Sequence, residues 1–336
     1  MIKTLTKSSN REEIKIYTED YGTQTIILLP QPESDSLDKS DSDNFTMHKK
    51  DKTLTLTSNS KYISIYWPEF NSNDKGEIIG NDTVMEINNS TGTLTIDYQS
   101  ENKNNTATYF GCADSANFNL KNSSKLEIIN PGTVFMFIDY ISSDNPPKLT
   151  MSEESKFAIR QPIDIQTNSS SLIFLASEIS MNGSSELTFE SNGLFLGDGK
   201  FNYCNINIQD NSKLILVNDG IIPKSDIDKN KTKFNLGSGS PLLKLSSYNG
   251  INFPLVFDDV EYPECLFNFI TTKEGDNKGI VIIDIPKDTT FGDKIFSKGL
   301  VAKNGKIADI KDFNFSYRIE SRQGNPVDTI TISLKL

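Results

Sequence analysis

The sequence predicts an all-β chain wound as a right-handed parallel β-helix, a solenoid with capping strands at both ends. Three observations lead there: a recurring strand phrase, its spacing, and a composition suited to a thin core. The phrase is Ser, any residue, then two large apolar residues in alternation. It stands at Ser124 to Ile128 (SKLEI), Ser155 to Ile159 (SKFAI), Ser170 to Phe174 (SSLIF), Ser185 to Phe189 (SELTF) and Ser212 to Leu216 (SKLIL). Recurrence of one supersecondary unit marks a repeat architecture. Within each phrase the period is two: Leu126 and Ile128 point inward and Lys125 and Glu127 outward, as a half-buried strand requires. Asn, Ser, Gly and Asp fill the turns, where they satisfy local backbone groups or accept a left-handed conformation.

The spacing sets the expected coil. Lead apolar residues fall at Leu149, Phe157, Ile165, Leu172, Ile179, Leu187 and Leu194, at intervals of 7 or 8, each one strand and one turn. Three intervals make a longer period of 22 to 23, from Leu126 to Leu149, Leu172 and Leu194, and again from Leu214 to Leu236. This predicts three strands per coil, each pairing with its equivalents above and below. A leucine-rich repeat would need a regular Leu and Asn frame that residues 120 to 220 lack. A β-sandwich would not hold a three-unit period.

Three regions follow. Residues 1–50 hold a capping piece, with strands near Glu13 to Tyr17 and Thr25 to Leu29, and an acidic Ser-rich loop from Gln31 to Asn44. Residues 51–250 form the parallel β-helix. From Ile251 to the end the phrase stops, and Gly279 to Ile285 and Thr329 to Leu336 read as strands of wider coils or hairpins that close the solenoid.

At 336 residues the chain can remain one unit, because a solenoid grows lengthwise. Its 36% hydrophobic content suits a core one side-chain layer thick. With 34 basic against 45 acidic residues the net charge is -11, which argues against nucleic acid or an anionic membrane as a partner, since phosphate binding relies on clustered Lys and Arg. No apolar run approaches the ~20 residues of a membrane-spanning helix. Met1 to Tyr21 lacks the apolar core of a signal peptide. Cys112, Cys204 and Cys265 are odd in number and far apart, which predicts buried reduced thiols and no disulfide framework. Sequons at Asn81, Asn88, Asn122, Asn168 and Asn182 follow from the Asn- and Ser-rich turns and do not imply glycosylation.

The Ser-x-Leu turns of residues 122 to 217, Phe267-Asn268-Phe269-Ile270, the segment Gly292 to Gly305 and a last amphipathic strand near Tyr317 to Leu336 resemble bacterial autotransporter passenger domains of the pectin-lyase-like β-helix superfamily. The resemblance covers about two thirds of the chain and is one of style. It implies a secreted or surface-displayed bacterial β-helix: an adhesin, an autoaggregation module, or a scaffold for a toxic or hydrolytic loop. The chain departs from that family in lacking the amphipathic strands of a membrane barrel and a signal peptide.

Polygalacturonase-type hydrolases resemble one another in an Asp-Asp pair, a Gly-His-Gly and an Arg-Ile-Lys, the carboxylates serving to protonate the leaving oxygen and activate water. Asp258 and Asp259 supply a pair and Arg318-Ile319-Glu320 a partial match. The single histidine, His48, lies outside the coils, so Gly-His-Gly is absent and Ser-His or Cys-His catalysis is disfavoured. Asp258 and Asp259 read first as turn residues. The lyase pattern starts at Arg160-Gln161-Pro162 but has Ile165 where its second Arg belongs. Asp226, Asp228 and Asn230 open like a calcium loop, yet Lys231 and Gly237 replace its required Gly and Glu, which leaves only a looser oxygen site or a solvated turn. No cofactor is implied. Tyr66, Trp67 and Phe70 form the densest aromatic group and are the candidate contact patch for a host protein or a glycan, with core packing as the competing role. Binding is thus the expected function, with a carboxylate hydrolase and a secreted effector that binds a host protein as alternatives. Self-association stays open.

Overall fold

A computed structural model gives the fold. It describes residues 117–335 apart from 124, 130–132, 137–147, 162–171, 198–203, 219–231, 258–261 and 288–289, and before residue 117 only the backbone of ten strands. The chain is a β-solenoid of stacked parallel sheets. One face is a 12-stranded sheet, the second a 10-stranded sheet and the third a 5-stranded sheet. A coil runs from the second face to the first and then to the third, as in Glu178–Met181, Glu186–Ser191 and Leu194–Leu196. Ile2–Leu5 and Gln24–Leu28 already pair in parallel at the open edge of the first face.

Three strands per coil holds, but the coil is longer than the sequence spacing predicts. On the first face Leu126, Phe157, Leu187, Leu214 and Leu243 stack in register, at separations of 31, 30, 27 and 29 residues. Leu126, Leu149 and Leu172, read from the sequence as one column, stand on the first, second and third faces. Leu214 and Leu236 also lie on different faces. The 22-residue period is real only from Leu172 to Leu194, where both ends are third-face strands and every corner is short. From Phe157 to the third-face Leu172 takes 15 residues, whereas the same step one coil later, Leu187 to Leu194, takes 7. All three faces share one alternation and one turn chemistry, so a strand's sequence does not say which face it occupies. Ile165, read as a strand lead, falls outside the described residues.

Inward side chains form continuous apolar columns, as each strand's alternation demands. Leu126, Ile128, Leu149, Phe174, Phe189, Ile206 and Leu216 are 1% exposed or less. Aromatic rings link adjacent coils: Phe157 meets Phe189 edge-on at 6.1 Å, Phe174 meets Phe189 at 4.9 Å, and Phe234 stacks on Phe267 at 5.9 Å. Each such side chain contributes about 1.5–3 kcal/mol by leaving water. Cys204 and Cys265 are buried and form no disulfide, as expected, and the side chain of Cys112 lies outside the described residues.

The corner between the second and first faces is a second column, made of backbone. Asn122, Glu153, Gly183, Asp210 and Gly239 all have positive φ and succeed one another coil by coil. Each carbonyl accepts from the next turn: Glu154 N–H to Asn122 O at 3.0 Å, Ser184 to Glu153 at 2.5 Å, Asn211 to Gly183 at 2.8 Å and Ser240 to Asp210 at 2.5 Å. The Ser of the recurring phrase follows two residues later, and Ser155, Ser185 and Ser212 are completely buried. Ser212 Oγ closes its own turn, accepting from Gln209 N–H at 3.1 Å and donating to Gln209 O at 2.5 Å. At Ser155 and Ser185 the buried hydroxyl finds no partner among the described residues, so what these corners share is a small buried side chain, with the hydroxyl used for turn closure at Ser212.

The C-terminal end is closed by antiparallel structure. Phe313–Arg322 and Asn325–Leu334 form a hairpin whose second strand pairs with Ile280–Ile285. A seven-residue helix, Phe291–Ser297, covers the core with Phe291 and Ile295. So short a helix is marginal alone and is held by packing, here Phe291 on Phe257 and Phe296 on Phe313. The sequence expectation of strands and hairpins at this end holds, with the helix as an addition. The hairpin is bolted by one ion pair. Asp284, completely buried, receives Arg322 Nε at 2.6 Å, Arg322 Nη2 at 2.8 Å, Thr329 Oγ1 at 3.1 Å and Ser247 N–H at 3.0 Å. Arg322 also reaches Glu320 at 2.7 Å. Burial alone would raise the Glu320 carboxyl, but the hydrogen bond and charge of Arg322, with Arg318 and Lys244 behind them, hold it below the ordinary glutamate range.

Three outcomes are expected. A Cβ at Gly183 would lie 2.7 Å from the Glu153 backbone at φ +67°, so Gly183→Ala should lower stability by about 1–3 kcal/mol or more in urea denaturation. Asp284→Asn removes one partner of a buried pair and should cost about 3–5 kcal/mol. Because the native Glu320 is the stronger acid, the folded state binds fewer protons, and stability should fall as pH drops below the ordinary glutamate range. A pH–denaturation series on wild type and Glu320→Gln checks this, the variant losing that part of the slope.

Candidate functional site: a polar groove on the second face

Outward side chains of the second face also stack. Asn119, Thr150, Ser180, Asn207, Asn235 and Asn268 occupy one register column. Asn is depleted in strands, and here the ladder gives the reason for its presence. Asn235 Nδ2 donates to Asn207 Oδ1 at 3.0 Å, Asn268 Nδ2 to Asn235 Oδ1 at 2.9 Å, and Gly305 N–H to Asn268 Oδ1 at 2.8 Å. A carboxamide has two N–H donors and two acceptor lone pairs. One rung uses one of each, which leaves a second N–H and a second lone pair for groups outside the ladder.

A depression of about 150 Å³ lies over this ladder, lined by Asn207, Gln209, Asn235, Ser238, Thr272 and Asp276. At Thr272 it meets a larger cleft of about 390 Å³, bounded by Lys273, Asn304, Lys303 and Lys335. Adjoining across Thr272, the two form a groove crossed by a ridge, with amides and hydroxyls at one end and three lysines beside Glu274 at the other. Ile270, Leu334 and Glu274 also line it, so polar groups suited to hydroxyls and carboxylates stand beside apolar surface.

The ridge between the two depressions is fixed. The Asp276 carboxylate accepts from the Thr271 hydroxyl, from the Thr272 hydroxyl at 2.5 Å, and from the N–H groups of Thr272 and Lys273 at 2.9 and 3.1 Å. The two hydroxyls and two amides hold it far below the ordinary aspartate range. It is ionised and fully engaged at neutral pH, which suits a structural anchor and not a proton donor. Behind it Asn277, buried, donates to Leu236 O at 2.7 Å and Ile270 O at 2.9 Å and accepts from Gly279 N–H at 2.7 Å. The groove wall is thereby tied to the coil beneath.

The residues singled out from sequence fall elsewhere. Tyr66 and Trp67 end the third-face strand Tyr62–Trp67, opposite Gly111 and Cys112; their side chains, and Phe70, lie outside the described residues. So do Asp258 and Asp259 of the hydrolase alternative, and Asp226, Asp228 and Asn230 of the calcium-like loop. Arg318 and Glu320, the partial Arg-Ile-Lys match, belong to the ion-pair cluster of the terminal hairpin. The groove was missed because its members are scattered from Asn207 to Lys335. The signal that marks it is an Asn centred between inward apolar residues, in NINI at 205–208, FNL at 234–236 and FNF at 267–269. No helix among the described residues is long and apolar enough to cross a membrane. Compared with known proteins, the chain matches no family model, no curated protein and no solved structure.

Proposed function

We propose that this chain is a binding module, an adhesin-like part of a secreted or surface-displayed bacterial β-helix, and that it takes a glycan along the second-face groove. One observation carries the proposal: an open groove whose lining is rich in amides, hydroxyls and lysines, with the carboxylate of Asp276 tied down as structure. Sugars offer hydroxyls that both donate and accept, and ladder amides with a spare donor and acceptor match them. The setting at a bacterial surface rests on the resemblance of the repeat to autotransporter passengers. A host glycoprotein would be engaged through its sugar.

A glycan array with the purified chain, followed by calorimetry on the best hit, tests the proposal. At least one glycan should bind, and Ser238→Trp, which fills the groove from an exposed position, should weaken it about tenfold or more, roughly 1.4 kcal/mol. Trp67→Ala should leave binding unchanged. Binding of no glycan, or loss through Trp67→Ala with Ser238→Trp neutral, overturns the groove as the site.

A further inference from the structure

The strand Phe313–Arg322 ends the 12-stranded sheet. It pairs along its length with Asn325–Leu334, and no strand among the described residues pairs with its other side. The register runs through ten pairs without a bulge. The strand, FNFSYRIESR, holds no proline and no lysine. Edges this long are ordinarily blunted by such devices, because a free row of N–H and C=O groups templates another strand.

The hairpin turn fixes which groups are free. Its two loop residues, Gln323 and Gly324, have φ of 48° and 84°. Positive φ at both places is the type I′ turn, which makes the flanking Arg322 and Asn325 a hydrogen-bonded pair. Counting back by twos, Glu320, Arg318, Ser316 and Asn314 also bond toward Asn325–Leu334. Ser321, Ile319, Tyr317 and Phe315 therefore direct their N–H and C=O to the open edge. Ile319 is 76% exposed and Tyr317 46% exposed, among the most exposed large apolar residues described.

We propose that this edge pairs antiparallel with the same edge of a second copy of the chain, about a two-fold axis at Ile319. That axis makes Ile319 and its copy a hydrogen-bonded pair, with Tyr317 opposite Ser321. It also sets Arg318 opposite Glu320 twice, in the closer non-hydrogen-bonded pairs where opposite charges attract most. Both side chains already lie on one side of the strand, since Arg318 and Glu320 form an ion pair within the chain. The neighbouring register, about Tyr317, would put Arg318 opposite Ser316 and Glu320 opposite Asn314 and gain no ion pair. Self-complementarity about a two-fold axis is what an isologous dimer requires. The edge residues Tyr317 to Ser321 line neither depression of the groove, so the pairing is tested apart from glycan binding.

Light scattering after size exclusion tests it. The wild-type chain should show twice the 37.5 kDa of one chain, with a mass that falls on dilution. Arg318→Glu and Glu320→Arg each place like charges opposite twice and should raise the dissociation constant roughly tenfold or more. A mixture of these two variants should dimerise again, because each chain supplies the charge that the other lacks. Restoring an ion pair within one chain cannot produce that rescue. Ile319→Pro, which deletes an edge N–H, should also give the single mass, and circular dichroism would show that each variant is folded. A single mass for wild type, a double mass in every variant, or no dimer in the mixture overturns the proposal.

Discussion

Everything in this molecule depends on like stacking on like. In a parallel, in-register coil each residue meets the same position one coil away, so any choice made once is tested again by its neighbour. That constraint produces the apolar columns through Leu126, Phe157 and Leu187, the column of left-handed turns from Asn122 to Gly239, and the amide ladder from Asn207 to Asn268. These are one rule applied to three kinds of group: burial for carbon, conformation for backbone, hydrogen bonding for amide. Gly183 shows how tight the rule is, because the turn below leaves no space for even one added carbon.

A solenoid built this way has a problem only where stacking stops. At the C-terminal end the solution is a change of direction. The chain reverses into an antiparallel hairpin, lays a short helix across the open core, and ties the hairpin down with Asp284 and Arg322. A buried ion pair is a weak source of net stability, since desolvation offsets much of the attraction, but it is demanding about geometry. Placed here, it joins Arg322 of the hairpin to Asp284 of the strand Ile280–Ile285. The polar groove draws on the same end, because Lys303 and Lys335 flank it from the terminal strands.

The strands and their inward residues were legible in the sequence because alternation is a local property. Leu187 and Phe189 are buried as their pattern says. The coil length was not legible, because it depends on which strands share a face, and corner length is unconstrained by alternation. A 15-residue step from Phe157 to Leu172 and a 7-residue step from Leu187 to Leu194 do the same topological work. The groove was less legible still. Asn207 and Asn235 look like poor strand residues until their register is known, and Thr272 and Asp276 belong to a turn whose hydrogen bonds only the fold brings together. The aromatic group at Tyr66 and Trp67 was salient in the sequence because adjacent large residues are easy to see, whereas a ladder is spread over many coils.

The corners are unequal, and this has an evolutionary consequence. From the second face to the first the step is 8, 8, 8 and 9 residues, starting from Leu149, Ile179, Ile206 and Phe234. The corners on either side of the third face range from 7 to 15. Over these four coils one corner is a spine whose length is set by its stacked turns, whereas in the last coil the same corner takes 14 residues from Phe267 to Val281, the added chain carrying Thr271 to Asp276. The opposite side is a margin where chain can be added without disturbing register. New segments can be acquired and lost along that margin while the spine keeps the molecule folded. Diversification in such a protein should fall on the margin and on the inserted turn of the last coil, and spare the short stacked corners between them.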